Sequence, residues 1–340
     1  MLNAEKRTRT LVILLCSMLL LAFGWRLLHQ HWAVEQQTEV RREEAADLMV
    51  ARLEQAVRQT EDALRNRDAV RAAATTPDSI TVIFAGAHVE ALPYGRLLYH
   101  PVASPGFASE EADALIRTAH TLRRSGRHDA ALAAYETAAR MAWTAIGEVP
   151  TELFARAARC ELLAAVDRTR ELRTEALELR ELLLDGRWRI TRPTFESYLK
   201  ASTRWSRAGE PPSTERLALS EAVQRLYVAQ PLRAAGHVVQ PFKAAVGQEP
   251  RNSERSTMTA DGVEFTILVQ TLGTRTTALV AGPLYAAHVW KSQVNDLADQ
   301  YGVQVDLVND LRGGPLTEAS LRRAEASGLP WTVVVKSSRF

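Results

Sequence analysis

The sequence predicts an α+β protein with a single N-terminal transmembrane helix, a juxtamembrane helix, a helical bundle and, last, a small antiparallel-sheet domain. Three observations carry that prediction. An uncharged apolar run begins at Leu11, hydrophobicity of period 3.6 extends from about Ala112 to Trp205, and alternating segments separated by glycine turns follow Val263. The 340 residues are enough for about two folded units. A hydrophobic share of 46% with 24% charged residues excludes a wholly disordered or fibrous chain. The 42 basic residues, nearly all Arg, are interleaved with 40 acidic ones, so the net charge of +2 leaves no basic face and no nucleic-acid partner is expected.

The apolar run Leu11–Trp25 follows Lys6, Arg7 and Arg9 and continues past Arg26 into Leu27 and Leu28. A membrane-spanning helix needs about 20 residues, a length reached when Arg26 snorkels to the interface beside Trp25. A cleaved signal peptide needs a small-x-small site, which Phe23-Gly24-Trp25-Arg26 does not supply. Residues 11–28 are therefore read as an uncleaved signal anchor, with residues 1–10 as a cytoplasmic tail and the bulk of the chain extracytoplasmic. For a bacterial protein this means the inner membrane, crossed once, with the bilayer as a partner.

Residues 29–74 read as a juxtamembrane helix. Ala46, Val50, Leu53, Val57, Thr60 and Leu64 follow a 4-3-4-3-4 spacing, a heptad seam. The seam fits either a homodimeric stalk or one amphipathic helix packed on its own domain. Thr75 to Asp78 break the helix, and residues 78–106 form a small β element, with strands over Ile80–Phe84 and Arg96–Tyr99.

From 110 to 207 the pattern is helical. Leu115, Ala119 and Leu122 share a face, Ser125-Gly126-Arg127 is a turn, and Ala131, Tyr135 and Ala138 mark the next helix. Small residues let antiparallel helices approach and one aromatic fills the remaining groove. In these residues the segment resembles a tetratricopeptide repeat, with Ala119, Gly126, Ala131, Tyr135 and Ala138 as its packing positions. The resemblance implies a groove for a protein or peptide partner, and a helical spacer is the alternative. Further helices run from Pro150 and through Leu172 to Leu184, Trp188 anchors a turn, and Phe195, Tyr198, Leu199 and Trp205 make another stripe.

Ala208 to Ser213 mark a boundary, and residues 214–340 read as an α+β domain. It opens with a helix near Glu215–Val228 and a polar, loop-like stretch over 247–261. A hairpin then turns around Gly273, a helix starts at Gly282-Pro283, a strand covers Val303–Leu307, a short helix follows Pro315, and Leu329–Val335 form a last strand. This is a strand-strand-helix-strand-strand order on one antiparallel sheet. A small ligand is expected between sheet and helix, contacted by Arg275, Tyr285 and His288 and walled by Trp290 or Trp331.

The layout of anchor, juxtamembrane helix, extracytoplasmic domain and terminal Leu-Pro-Trp-Thr-Val-Val-Val strand resembles the N-terminal sensory region of a bacterial membrane-bound sensor histidine kinase. Its last strand is similar to the end of PAS or Cache-like sensor domains. The resemblance implies the extracytoplasmic sensor portion of a two-component signalling receptor, with kinase activity residing in a module outside this chain. A membrane-tethered tetratricopeptide-like scaffold is the alternative. Nothing in the chain matches G-x-S-x-G, H-E-x-x-H or G-x-x-x-x-G-K-[ST], and the eight histidines form no compact metal-ligating set, so neither catalytic residues nor cofactor nor metal is assigned. Cys16 and Cys160 form no disulfide scaffold.

Overall fold

The computed structural model describes residues 18, 25–26, 37, 39–65, 76–85, 88–104, 106–207, 211–234, 253–273, 275–308, 319–322 and 331–337. In chain order the elements begin with a helix over residues 39–65 (α1). The strands β1 (Ser79–Ala85), β2 (His88–Leu92) and β3 (Phe107–Ala108) follow. Next come α2 (Glu110–Arg124), α3 (His128–Ala139), β4 (Thr144–Ile146) and β5 (Val149–Pro150). The helices α4 (Thr151–Ala165), α5 (Thr169–Leu184), α6 (Arg192–Ser206) and α7 (Thr214–Ala234) lead to β6 (Ser253–Ala260), β7 (Val263–Leu272) and β8 (Arg275–Ala281). A turn at Pro283–Tyr285 and a π-helical stretch at Ala286–Lys291 continue into α8 (Ser292–Tyr301), and β9 (Val303–Val308), β10 (Ala319–Arg322) and β11 (Thr332–Ser337) close the chain.

The chain is α+β and divides into two units, residues 56–290 and residues 1–55 with 291–340. In the first, a five-stranded sheet runs β2-β1-β8-β7-β6, every pair antiparallel. One face buries Ile80, Val82, Phe84, Phe265, Ile267, Ala278 and Val280 with Ala218, Leu219, Ala222, Val223 and Leu226 of α7. The alternate residues are buried too, Ser79, Thr81, Thr266, Gln270 and Thr277 among Ile83, Leu268 and Leu279, so the second face is covered and more polar. There Arg255 of β6 meets Glu61 of α1 in a bidentate pair, Nε to Oε1 and Nη2 to Oε2, both 2.7 Å. Trp290 Nε1 donates to Thr60 Oγ1 at 3.1 Å.

The predicted seam of α1 is occupied inside the chain: Ala46, Leu53, Val57, Thr60 and Leu64 are buried and Val50 is half-buried. The predicted span 11–28 lies outside the described residues except for Met18, Trp25 and Arg26, which are helical and exposed. No helix among the described residues is long and apolar enough to cross a membrane.

Asp78, just before β1, caps the distant turn at Pro283. Its carboxylate accepts the N–H groups of Leu284 at 2.6 Å and Tyr285 at 3.1 Å, and its carbonyl accepts that of Gly282 at 3.0 Å. A Cβ on Gly282 would lie 2.5 Å from Asp78 Oδ2, so only glycine permits this approach. Asp78→Ala leaves one buried donor, Tyr285 N–H, and one part-buried donor, Leu284 N–H, without their acceptor and is expected to cost about 2 kcal/mol in urea unfolding, with Asp78→Asn retaining part of the stability.

In the second unit β10-β11-β9 form an antiparallel sheet with α8 packed on β9, and Val303, Val305, Trp331 and Val333 to Val335 are buried. The hairpin β7–β8 turns at Gly273 as expected, but the single C-terminal sheet does not form. The hairpin joins β1 and β2, through in-register pairs such as Ile80 with Val280, while β9 and β11 pair separately. Residues 78–106 are thus continuous with the sheet of β6–β8 rather than a separate element.

Three local expectations change with this. Arg96–Tyr99 is no strand, because side chains take its backbone groups: Arg216 Nε donates to the Arg96 carbonyl at 3.2 Å, and Ser220 Oγ accepts the Leu98 N–H at 2.9 Å. Residues 253–260, within the stretch read as loop, form the polar edge strand β6, whose outer side needs no apolar cover. Residues 319–322, read as helix, pair with β11.

Candidate functional site

Between β2 and β6 lie the helices, of which α2 to α6 each pack on the next, with α4 also touching α2 and α6. The turn from α2 to α3 places Gly126 at φ +76°, with Gly126 N–H bonded to the Arg123 carbonyl at 3.1 Å and Arg127 N–H to that of Leu122 at 2.9 Å. The turn from α4 to α5 repeats it from position 126 to position 167: Asp167 is at φ +57°, its N–H bonds the Ala164 carbonyl at 3.4 Å, and Arg168 N–H bonds that of Leu163 at 3.0 Å. Asp tolerates the left-handed conformation that glycine adopts freely, so the second turn carries no glycine signal in sequence. The first hairpin closes as its residue types dictate: Ala119, Ala131, Tyr135 and Ala138 are all completely buried.

Helical periodicity gives α4 two buried sides and two partly open edges. Ala155, Ala158 and Leu162 pack with α2 and α3, while Leu153, Ala157 and Cys160 pack with α5, Trp188 and Phe195. One open edge carries Arg156 and Arg159. Arg156 reaches Glu178 at 2.9 Å and Glu175 at 3.5 Å; Arg159 reaches Glu136 at 3.0 Å and Glu175 at 3.3 Å. This edge is neutralised within the chain and ties α3, α4 and α5 together.

The opposite edge differs. His120 of α2 packs edge-on against Phe154 of α4 (centroids 6.3 Å, 72°) and against Tyr135 (5.8 Å, 84°), whose hydroxyl shares a 3.1 Å hydrogen bond with His120 Nδ1. Arg123 and Glu161 flank them, 3.7 Å apart. Burial raises the Tyr135 phenol, which the charge of Arg123 partly offsets; burial and then the charge of Glu161 raise Tyr198 of α6. The edge therefore presents aromatic rings from α2, α4 and α6, each half-exposed, beside one cation and one anion. Rings with polar tips are what a peptide-binding surface uses: large contact area at low entropic cost, with hydrogen bonds to fix register.

The predicted ligand contacts fall elsewhere. Tyr285 and Trp290 meet edge-on at 5.0 Å and are buried at 2% and 0% exposure; burial pushes the Tyr285 phenol up to about 12. His288 is exposed, with Nδ1 2.8 Å from the Leu284 carbonyl. Arg275 is half-buried at the start of β8, opposite Ala85 and Leu272, and Trp331 is buried in the other unit. The structure thus brings Tyr285 and Trp290 together as core. His120, Phe154 and Tyr198 escaped the sequence reading because a half-exposed aromatic on an amphipathic helix has the same local pattern as a core one. No family model, no curated protein and no solved structure matches this chain.

Proposed function

We propose that the chain is the extracytoplasmic sensor portion of a membrane-anchored two-component signalling receptor, with the helical stack as its docking element for a protein or peptide partner. The observation that carries this reading is the placement of the stack: it is inserted between β2 and β6, and both strands belong to one sheet on which α1 is fastened through Glu61 and Arg255. A partner on the α2–α4–α6 edge therefore loads a sheet directly coupled to the helix that leads back toward residues 11–28. Counted within the sheet, the strand order is 2-1-5-4-3 with a long helix before it, whereas the terminal strand that carries the PAS/Cache-like resemblance pairs in the separate β10-β11-β9 sheet. The repeated turn at 126 and 167 favours the second reading, a tethered tetratricopeptide-like scaffold that holds a partner without passing a signal.

In-cell photo-crosslinking from positions 154 and 198 tests the docking edge. A discrete partner is expected from both, lost with Phe154→Glu, and none from position 178 on the neutralised edge; equal yields from all three positions would overturn it. Hydrogen exchange of residues 56–65 then separates the readings: partner addition alters their protection in a receptor and leaves it unchanged in a scaffold.

A further inference from the structure

The charges of α5 are partly segregated, with Arg170 and Glu181 between the two edges. Glu171, Glu175 and Glu178 lie along one edge and are engaged by Arg168, Arg156 and Arg159. Helical periodicity puts Arg173, Leu177, Arg180 and Leu184 on the other edge. Arg180 is buried at 7% exposure, its Nε is sealed from solvent, and no hydrogen bond or ion pair reaches its guanidinium among the described residues. Arg173, exposed two turns earlier, is likewise without an ion pair among them. Other cations of this unit are matched, Arg255 by Glu61 and the half-buried Arg156 and Arg159 by the glutamates. Arg275, half-buried at the start of β8, shares with Arg180 a sealed Nε and no ion pair among the described residues, but Arg180 is the more deeply buried. A buried charge stands only where something compensates it, and the planar guanidinium fork is shaped for a two-oxygen anion.

We propose that Arg180 is the receptor for a carboxylate supplied by an acidic segment of a partner protein that docks along the Arg173–Leu184 edge of α5. The leucines of that edge supply apolar contact, Arg173 steers the segment, and Arg180 fixes its register by a charge-assisted, bidentate hydrogen bond. The site lies on a different edge from Phe154 and stands or falls independently of the reading proposed above.

The test uses the full chain in non-ionic detergent, with Arg180→Met and Arg180→Lys variants. Each is titrated by calorimetry, at constant ionic strength, with an Asp- and Glu-rich dodecapeptide, with its Asn/Gln counterpart and with inorganic phosphate. The wild type is expected to bind the acidic peptide, Arg180→Met to bind it roughly tenfold more weakly or worse, and Arg180→Lys to fall between. Without peptide, Arg180→Met is expected to melt at or above the wild-type temperature, since it removes an uncompensated charge. A lower melting temperature for Arg180→Met, equal peptide affinity in all three proteins, or Arg180-dependent binding of phosphate with no preference for the peptide would each overturn the proposal.

Discussion

Glu61→Ala is expected to destabilise the protein by about 3–5 kcal/mol, the effect of stranding one member of a buried ion pair. Glu61 and Arg255 are 8% and 10% exposed at their side chains and form two parallel bonds of 2.7 Å. Removing the carboxylate takes two short charge-assisted bonds from a largely buried guanidinium. Attraction within the pair is offset by the cost of dehydrating both charges, so the double variant Glu61→Met/Arg255→Met should recover most of the loss. Urea unfolding followed by circular dichroism measures the wild type, Glu61→Ala, and the double variant with its two single parents, Glu61→Met and Arg255→Met. A single-variant loss below 1 kcal/mol, or a double variant as weak as the sum of the singles, would refute the assignment of this pair as the fastening of α1.

Between pH 6.5 and about 4 the protein should lose roughly 3 kcal/mol of stability through one histidine, His100. Its side chain is 6% exposed, and burial, with Arg189 beside it, pushes the imidazole from its ordinary 6.5 down to about 4. The folded state holds this ring neutral where the unfolded chain takes up a proton, so the unfolded state binds more protons as pH falls through the window. Stability is complete above the unfolded value and declines toward the folded one, at about 1.4 kcal/mol for each pH unit. Arg159 and Arg140 beside Glu136 hold its carboxyl below its ordinary value. His100→Phe should flatten the dependence of the unfolding free energy on pH between 4.5 and 6.5; parallel curves for variant and wild type would show that the acid response arises elsewhere.

Much of the local structure was legible. The stripe of Leu115, Ala119 and Leu122 marks α2, to which the structure adds the cap, Ser109 Oγ accepting the Ala112 N–H. The alternation around Gly273 gave the β7–β8 hairpin, because a tight turn fixes register between neighbours. The seam of α1 was legible as a buried stripe, but not what buries it. The strand expected at Arg96–Tyr99 failed for an instructive reason: its apolar residues are buried, but Leu97 enters the sheet core while Leu98 and Tyr99 both enter the helical core, and its hydrogen-bonding groups face Arg216 and Ser220 instead of a strand.

The sequence by itself determined which segments coil or extend and which side of each turns inward, since those follow from periods of two and 3.6 and from residues at turns and caps. Only the tertiary structure decided that β1 pairs with β8, that Glu61 finds Arg255 across 194 positions, that Phe154 stands beside His120, and that Arg180 is buried with no counter-charge among the described residues. Side-chain alternation specifies a face, not a partner. Choosing among the chemically similar faces of one chain is settled by the packing of all of them together, which leaves no mark on any short stretch of sequence.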